Sequence, residues 1–450
     1  MVGVTAGRSD EGVTRRARDR RIVALAVPAL GTLAIEPLYV LVDTAIVGRL
    51  GTVPLAGLAV ASTVLTTLIT VCNFLAYGTT ARVAFLRGRG DHRGGASVAA
   101  QGLWLAVVIG LALMAAVGLG GRGLAALVGG EGAVLDVAST YLRISAVGIP
   151  FVLVALVGNG YLRGVENTRA PLVVVVVANV VNVVLELVLV YGLDLGVAGS
   201  AWGTVVAQLL AAVWFLVLIA RQVTGEGVGA APVAEEIVRL LVAGRHLLVR
   251  TAALLVTLAL ATSAAARVGE TTLAGHQIAI QVHTFLALVL DSLAIPGQVL
   301  VATSLGAGDV DEARAVSSRL VRLGVVIGAG VGSAVVVASW ALPHAFSGDS
   351  AVVERATLAL VLVGLAQLPA AVAFVLDGVL IGSSDFRFLK WNMLAGLVVF
   401  LPFGAAVLRW HSLGIAGIWV GILAWMCFRA AANGMRFAGK AWTATATAPT

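Results

Sequence analysis

The sequence predicts an all-α polytopic membrane protein with twelve transmembrane helices, in two parallel six-helix repeats around a central cavity. Three observations predict it. The chain is 60% hydrophobic and 12% charged, with a mean hydropathy of +1.01, whereas a soluble domain is about half apolar and about a quarter charged. Apolar runs long enough to cross a bilayer alternate with short Gly- or Arg-containing breaks along the whole length. The ten-residue alternating segments of a β-barrel do not occur. Finally, the two halves repeat at one constant offset, described below.

Residues 1–20, rich in Gly, Arg and Asp, read as a solvated cytoplasmic arm. The first span, 21–48, reads RIVALAVPALGTLAIEPLYVLVDTAIVG. It is too long for a signal-peptide core and no small-residue cleavage site follows, so it reads as a retained span. It carries Pro28, Pro37, Glu36 and Asp43. Acids at the depth of lipid cost roughly 2.5–3.5 kcal/mol on insertion scales. These two are two helical turns apart and share one face, which makes that face a candidate site. Spans two to four fall near 54–82, 96–121 and 136–163, the last ending with Asn159 beside the GxxxG pair Gly160/Gly164. Span five, 170–193, places Asn179, Asn182 and Glu186 at spacings of three and four, along one face. Span six, 197–220, opens with GVAGSAWG and brings Thr204 just after it. Asp43 and Glu186 both fall in the outer half of the membrane and can face each other across one cavity.

The longest polar link, 222–245, joins an N-terminal lobe, 21–221, to a C-terminal lobe, 246–437. The second lobe holds spans near 246–267, 271–304, 314–341, 352–381, 388–409 and 414–437. The tail, 438–450, is polar and of low complexity. An even number of spans puts both termini on one side. With that side cytoplasmic, most of the 30 Lys and Arg lie inside, as the positive-inside rule demands. The net charge of +7 is therefore a topology signal and gives no reason to expect a nucleic-acid partner. Cys72 and Cys427 lie in apolar spans and read as two small buried hydrophobes.

A shift of 218 residues, without a gap, superposes Gly51 on Gly269, Gly88-x-Gly90-Asp91 on Gly306-x-Gly308-Asp309, and Gly160/Gly164 on Gly378/Gly382. Gly196, Gly199 and Gly203 fall on Gly414, Gly417 and Gly421. Two six-span copies of the same topology are related by an axis along the membrane normal. The GxxxG pairs let helix backbones approach closely in lipid, and the Gly88–Asp91 stretch reads as a tight turn. The same shift provides a control. Glu36, Asp43, Asn182, Glu186 and Thr204 superpose on Leu254, Ala261, Phe400, Gly404 and Ile422. The scaffold glycines are duplicated and the acidic cluster is not, which favours a functional role for the cluster over a buried polar knot.

The second half has its own polar positions. Gln277 and Gln281 share a face, as do His276 and His283, so span eight is expected to be wetted on one side. Asp291 reads equally as functional or structural, and Asp377 as a packing or capping group.

Taken together, these residues resemble the multidrug and toxic compound extrusion (MATE) transporters, particularly the DinF-like branch. The resemblance covers nearly the whole chain. It rests on the twelve-span parallel repeat, the first-span pattern from Pro28 through Glu36 and Tyr39 to VDTAIVGRLG, the NVVLE and GLDLGVAGSAWGT segments, AGHQIAIQ, LDSLAIPGQ, and the LGAGD turn. It implies an antiporter, not an enzyme, with no cofactor beyond a proton or sodium gradient. Asp43, Glu186, Asn182, Thr204 and Asn159 would form the ion or proton coupling site. Glu36, Tyr39 and Asn179 would line the substrate cavity, and Pro28 would be the helix bend. Sodium is possible at Asp43, Asn182, Glu186 and Thr204, with no other metal site expected. This chain departs from the branch in having Glu186 where Asp is usual, which puts ion selectivity or cavity shape in question. The acidic site that the NorM-like branch places in its second half has no match around Leu254 and Ala370.

The expected partners are a small-molecule substrate and the lipid bilayer, with the protein a monomer in the inner (plasma) membrane and both termini cytoplasmic. Two carboxylates in a poorly solvated cavity do not comfortably both ionise, so the pair is expected to take up a proton. Two rival functions remain. A lipid-linked-precursor flippase of related fold would want several Arg or Lys in its cavity, whereas nearly every Arg reads as lying at a helix end. A membrane-embedded enzyme would need a metal motif or nucleophile pair at depth, and none is found.

Overall fold

The computed structural model describes residues 5–229 and 231–445, with the side chains of residues 1–15, Glu36 and Thr445 outside that description. Among the described residues the structure is helical throughout, without strands. Among the described residues, eleven helices are long and apolar enough to cross a membrane, or twelve when one bent pair is taken as a span.

In chain order, α1 is Thr5–Gly48, α2 Thr52–Cys72, α3 Phe74–Gly88, α4 His92–Leu127, α5 Gly132–Ala146, α6 Ile149–Gly164, α7 Arg169–Leu187 and α8 Gly196–Gly225. Then follow α9 Ala234–Val268, α10 Glu270–Gly306, α11 Val310–Ala338, α12 Ser350–Gly382, α13 Phe386–Arg409, α14 Gly414–Ala438 and the short α15 Ala441–Thr445. Helices α2 and α3 form one span, and α5 with α6 form the bent pair, at 53°. The non-helical link between the halves is shorter than the expected 222–245, because α8 continues to Gly225 and α9 begins at Ala234. Glu235 and Glu236 stand in the first turn of α9, where carboxylates complement the helix dipole and extend the helix backwards.

The chain divides into two compact units. One contains Gly31 to Leu248; the other contains the described residues up to Leu30 and those from Val249 onward. The first helix therefore changes unit at Leu30/Gly31, two residues beyond Pro28.

Each unit repeats the same local devices at the predicted offset. Gly90 and Gly308 adopt φ of 75° and 78°, the left-handed region open to glycine. The turn then ends on a capping aspartate. Asp91 Oδ1 accepts from Gly94 N at 2.7 Å, and Asp309 Oδ1 from Glu312 N at 2.8 Å. A Cβ at Gly160 would run into the Ala76 carbonyl oxygen, and one at its repeat partner Gly378 into the Ala294 carbonyl oxygen, itself the repeat partner of Ala76. Backbone therefore packs on backbone between α3 and α6, and again between α10 and α12. Gly160→Leu is expected to prevent this crossing and to lower the melting temperature of the purified protein sharply, overpacking costing about 1–3 kcal/mol or more. Gly118→Ala, at a glycine with open space around it, is the control and should melt as wild type.

Helix α7 shows how the segment faces. Val176, Val180 and Val184 are exposed, whereas Asn182 and Glu186 are buried. Apolar outside and polar inside is the reverse of a helix on a water-soluble protein and suits a lipid surround.

Candidate functional site

Within the unit containing Gly31 to Leu248, three helices bring the predicted polar residues together. Asp43 lies near the end of α1 and Glu186 near the end of α7; both are buried, at 4% and 0% exposure. Beyond Glu186 the backbone runs through a π-helical turn, Val188–Gly192, and Tyr191 donates to the Ile46 carbonyl at 2.6 Å. That bond pins the end of α1 beside the end of α7.

Small residues on α8 let it approach. A Cβ at Gly199 would meet the Leu189 carbonyl carbon at 2.8 Å, and one at Gly203 would meet Glu186 Cγ at 3.1 Å. Ser200 and Thr204, one turn apart on this close-packed helix, then present their hydroxyls to the acids. Ser200 Oγ donates to Asp43 Oδ1 at 2.7 Å. Asn182 Nδ2 donates to Thr204 Oγ1 at 3.3 Å. Tyr39 Oη lies 2.8 Å from Thr204 Oγ1 and donates to Glu186 Oε1 at 3.3 Å. Thr204 also reaches the Ser200 carbonyl at 3.1 Å. Each hydroxyl has one proton, so Thr204 donates either to Tyr39 or to the Ser200 carbonyl, and the network has two donor orders.

Ser200 on Asp43, and Tyr39 with Thr204 on Glu186, gather the two carboxyl groups into one network, where they act on each other electrostatically. Glu186 Oε2 is nevertheless buried with no protein donor on it, and Asn182 Oδ1 is in the same position.

The structure thus joins Asp43, Glu186, Asn182, Thr204 and Tyr39 in one cluster. Tyr39, expected on the substrate cavity, is hydrogen-bonded to Glu186 and Thr204. Asn179 donates to its own helix at Val175 O, 2.8 Å. Asn159 makes no hydrogen bond to the acids among the described residues, and its Oδ1 is buried without a partner. The Glu36 side chain lies outside the described residues. Sequence reasoning missed two members. Ser200 stands four residues before Thr204, so the helical period could have found it. Tyr141 on α5 is buried close to Asp43, Glu186, Ser200 and Thr204, and nothing in its local sequence marks it.

The second unit bears on four expectations. Asp377, read as a packing or capping group, is the centre of a buried ion-pair network. Its Oδ2 accepts from Arg250 Nη2 and Arg429 Nη2, both at 2.6 Å, and its Oδ1 from Asn433 Nδ2 at 2.7 Å. Arg429 is an exception to the reading that basic residues sit at helix ends, since it lies inside α14 and is 1% exposed. It survives there because Asp377 neutralises it and because the Phe374 and Trp425 rings lie 5.3 and 5.2 Å from its guanidinium carbon. The face of α10 carrying His276 and His283 is buried against Trp419, at ring distances of 5.6 and 5.9 Å, while Gln277 and Gln281 are exposed. Cys72 is buried, but Cys427 is exposed on α14, because an apolar residue on a lipid-facing helix need not be in the core.

The family model described as MatE matches residues 28–188 and 247–406, one stretch in each half of the chain. The chloroplastic protein DETOXIFICATION 44 of Arabidopsis thaliana is 34% identical over 435 residues, covering 92% of this chain and 81% of its own length. DNA damage-inducible protein F of Escherichia coli is 32% identical over 297 residues, 65% of this chain and 64% of that protein. Among solved structures, one of a MATE protein in a bent conformation superposes with a TM-score of 0.87 at 20% identity, over 96% of this chain and 97% of that one. With both halves matched and a relative 34% identical over 92% of this chain, the chain belongs to the MatE family, the multidrug and toxic compound extrusion transporters.

Proposed function

We propose that this transporter is a proton-coupled antiporter of the DinF-like branch, exporting small amphipathic, often cationic compounds by alternating access. One observation carries the reading: Glu186 Oε2 is buried without a protein donor beside the Asp43 carboxyl. Two carboxylates are both acceptors, and a hydrogen bond between them needs a proton. A proton held there satisfies the buried oxygen and removes a charge from the interior. Its loss restores a buried charge that attracts a cation or demands water. The proton thus has different affinities in different states, which is what coupling requires. The two donor orders of Tyr39 and Thr204 give the proton a short exchange path. Pro28 cannot donate a helical hydrogen bond, and it lies two residues from the point where α1 changes unit, so it is a natural bend. We place the protein in the plasma (inner) membrane with both termini cytoplasmic, acting as a monomer.

A second reading has its own support. Asn182 Oδ1 and Glu186 Oε2 are two buried oxygens without donors, and with Asp43 and Thr204 they make a hard-oxygen set that suits sodium. Proteoliposomes loaded with a fluorescent organic cation separate the two. Efflux driven by an imposed proton gradient and indifferent to sodium is expected. Efflux driven by sodium alone would replace the proton with sodium, and efflux under neither gradient would sink the antiport reading.

A further inference from the structure

The polar cluster of the first unit is acidic, while that of the second is basic and short of acceptors around one guanidinium. Arg429 Nη2 is taken by Asp377, Nη1 reaches only the thioether sulfur of Met426 at 3.4 Å, and Nε has no partner. Trp425, one turn earlier on the same face of α14, has its Nε1 buried and equally unpartnered. An indole nitrogen can only donate. Both side chains pass the same point of α13: a Cβ at Gly396 would meet Trp425 Nε1 at 2.7 Å and Arg429 Cγ at 3.7 Å. Trp419 Nε1 and His283 Nδ1, farther along the same interior, also lack partners.

The acceptors nearby are already committed. Asp377 serves Arg250, Arg429 and Asn433, and Asn433 Oδ1 accepts from Asn392 at 2.7 Å. The other charged or titratable groups acting on this point are Asp291 from α10, which is within electrostatic range of Arg429, Arg250 from α9, and His283 from α10. Buried donors in native proteins are almost always satisfied by protein, water or an ion, and ionisable groups at membrane depth mark ligand or ion sites. The equivalents of Trp425 and Arg429 in the first half are Ala207 and Ala211, so the basic centre was not duplicated with the scaffold.

We propose that the second unit binds a small monovalent anion, a halide or a carboxylate, held by the Arg429 guanidinium and the Trp425 indole N–H. Such an acceptor-only ligand supplies what both donors lack, and the cation–π stack already orients the guanidinium. The proposal is independent of how the acidic pair couples to a gradient, because binding is measured here without one.

The test is thermal unfolding of the purified full-length protein at fixed sodium concentration, with a bulky sulfonate buffer anion replaced stepwise by chloride or by acetate. A ligand that binds only the folded state raises the melting temperature saturably. That rise is expected with at least one of the two anions, and which one identifies the source as a halide or a carboxylate. Trp425→Phe keeps the ring but deletes the donor, and should weaken the apparent affinity about tenfold or more, the worth of one charge-assisted hydrogen bond. Arg429→Gln should abolish the rise; if that variant does not fold, Trp425→Phe decides alone. No saturable rise in wild type would overturn the proposal and leave water as the partner of these donors. An identical rise in wild type and Trp425→Phe would overturn it as well.

Discussion

Asp43→Asn is expected to reduce proton-driven efflux from proteoliposomes to near background, while the purified protein melts at or slightly above the wild-type temperature. The reason is local. Asparagine keeps an acceptor for Ser200 Oγ, which donates to Asp43 Oδ1 at 2.7 Å, and adds an amide donor. That donor can reach the neighbouring Glu186 oxygen, which is buried without one. The substitution therefore mimics the proton-bound pair permanently, and a site that no longer releases its proton has no differential affinity to drive transport. Coupling free energies of the usual size correspond to about 5–150-fold, and the loss should fall in that range or beyond. Raising the proton gradient should accelerate the wild type and leave the variant unchanged. Glu186→Asp should retain gradient dependence with altered rates, because it keeps the charge but withdraws the methylene that packs against Gly203. A variant Asp43→Asn that still follows the proton gradient would remove this residue from the coupling site.

How legible this site was depends on which interactions lie within one helix. Asn182 and Glu186 share a face of α7 by helical period, so their proximity follows from sequence alone. That Asp43 should meet Glu186 rested on depth and on the absence of both acids from the second repeat. In the structure both acids enter one hydrogen-bonded network, Asp43 through Ser200 and Glu186 through Tyr39. Ser200 could have been found from its spacing to Thr204. Tyr141 could not, since its role depends on α5 packing beside α8, and a tyrosine in TYLR has no local signature. The glycine pairs were legible because backbone contact needs glycine whatever lies opposite. The partners of Asp377 were not, since they come from three other helices: Arg250 on α9, Arg429 and Asn433 on α14, and through Asn433, Asn392 on α13. Charge counting along the chain assigned Arg429 to topology; only tertiary packing reveals that it is enclosed.

Removing Asp377 should be the most destabilising single change in the second unit. Two guanidiniums rely on one carboxylate oxygen, each at 2.6 Å, with side-chain exposures of 12% for Arg250, 1% for Arg429 and 5% for Asp377. Deleting one partner of a buried pair costs about 3–5 kcal/mol, because it leaves a charge that neither water nor protein compensates. Asp377→Ala strands two, so its melting temperature should fall well below that of wild type, at the upper end of that cost. The contrast is Asp136→Asn, whose pair with Arg122 is exposed at 64% and 55% and should cost no more than about 1 kcal/mol. The decisive comparison is the double variant Asp377→Leu with Arg429→Met. If the loss in Asp377→Ala comes from the stranded charge, removing that charge as well should recover much of the stability, since an apolar replacement of a buried pair is often neutral or better. Arg250, the more exposed of the two, can then turn its head toward water while its stem stays packed. Thermal unfolding of the three proteins side by side decides the matter. A double variant no more stable than Asp377→Ala would mean that Asp377 acts through packing and its bond to Asn433 rather than by neutralising Arg429.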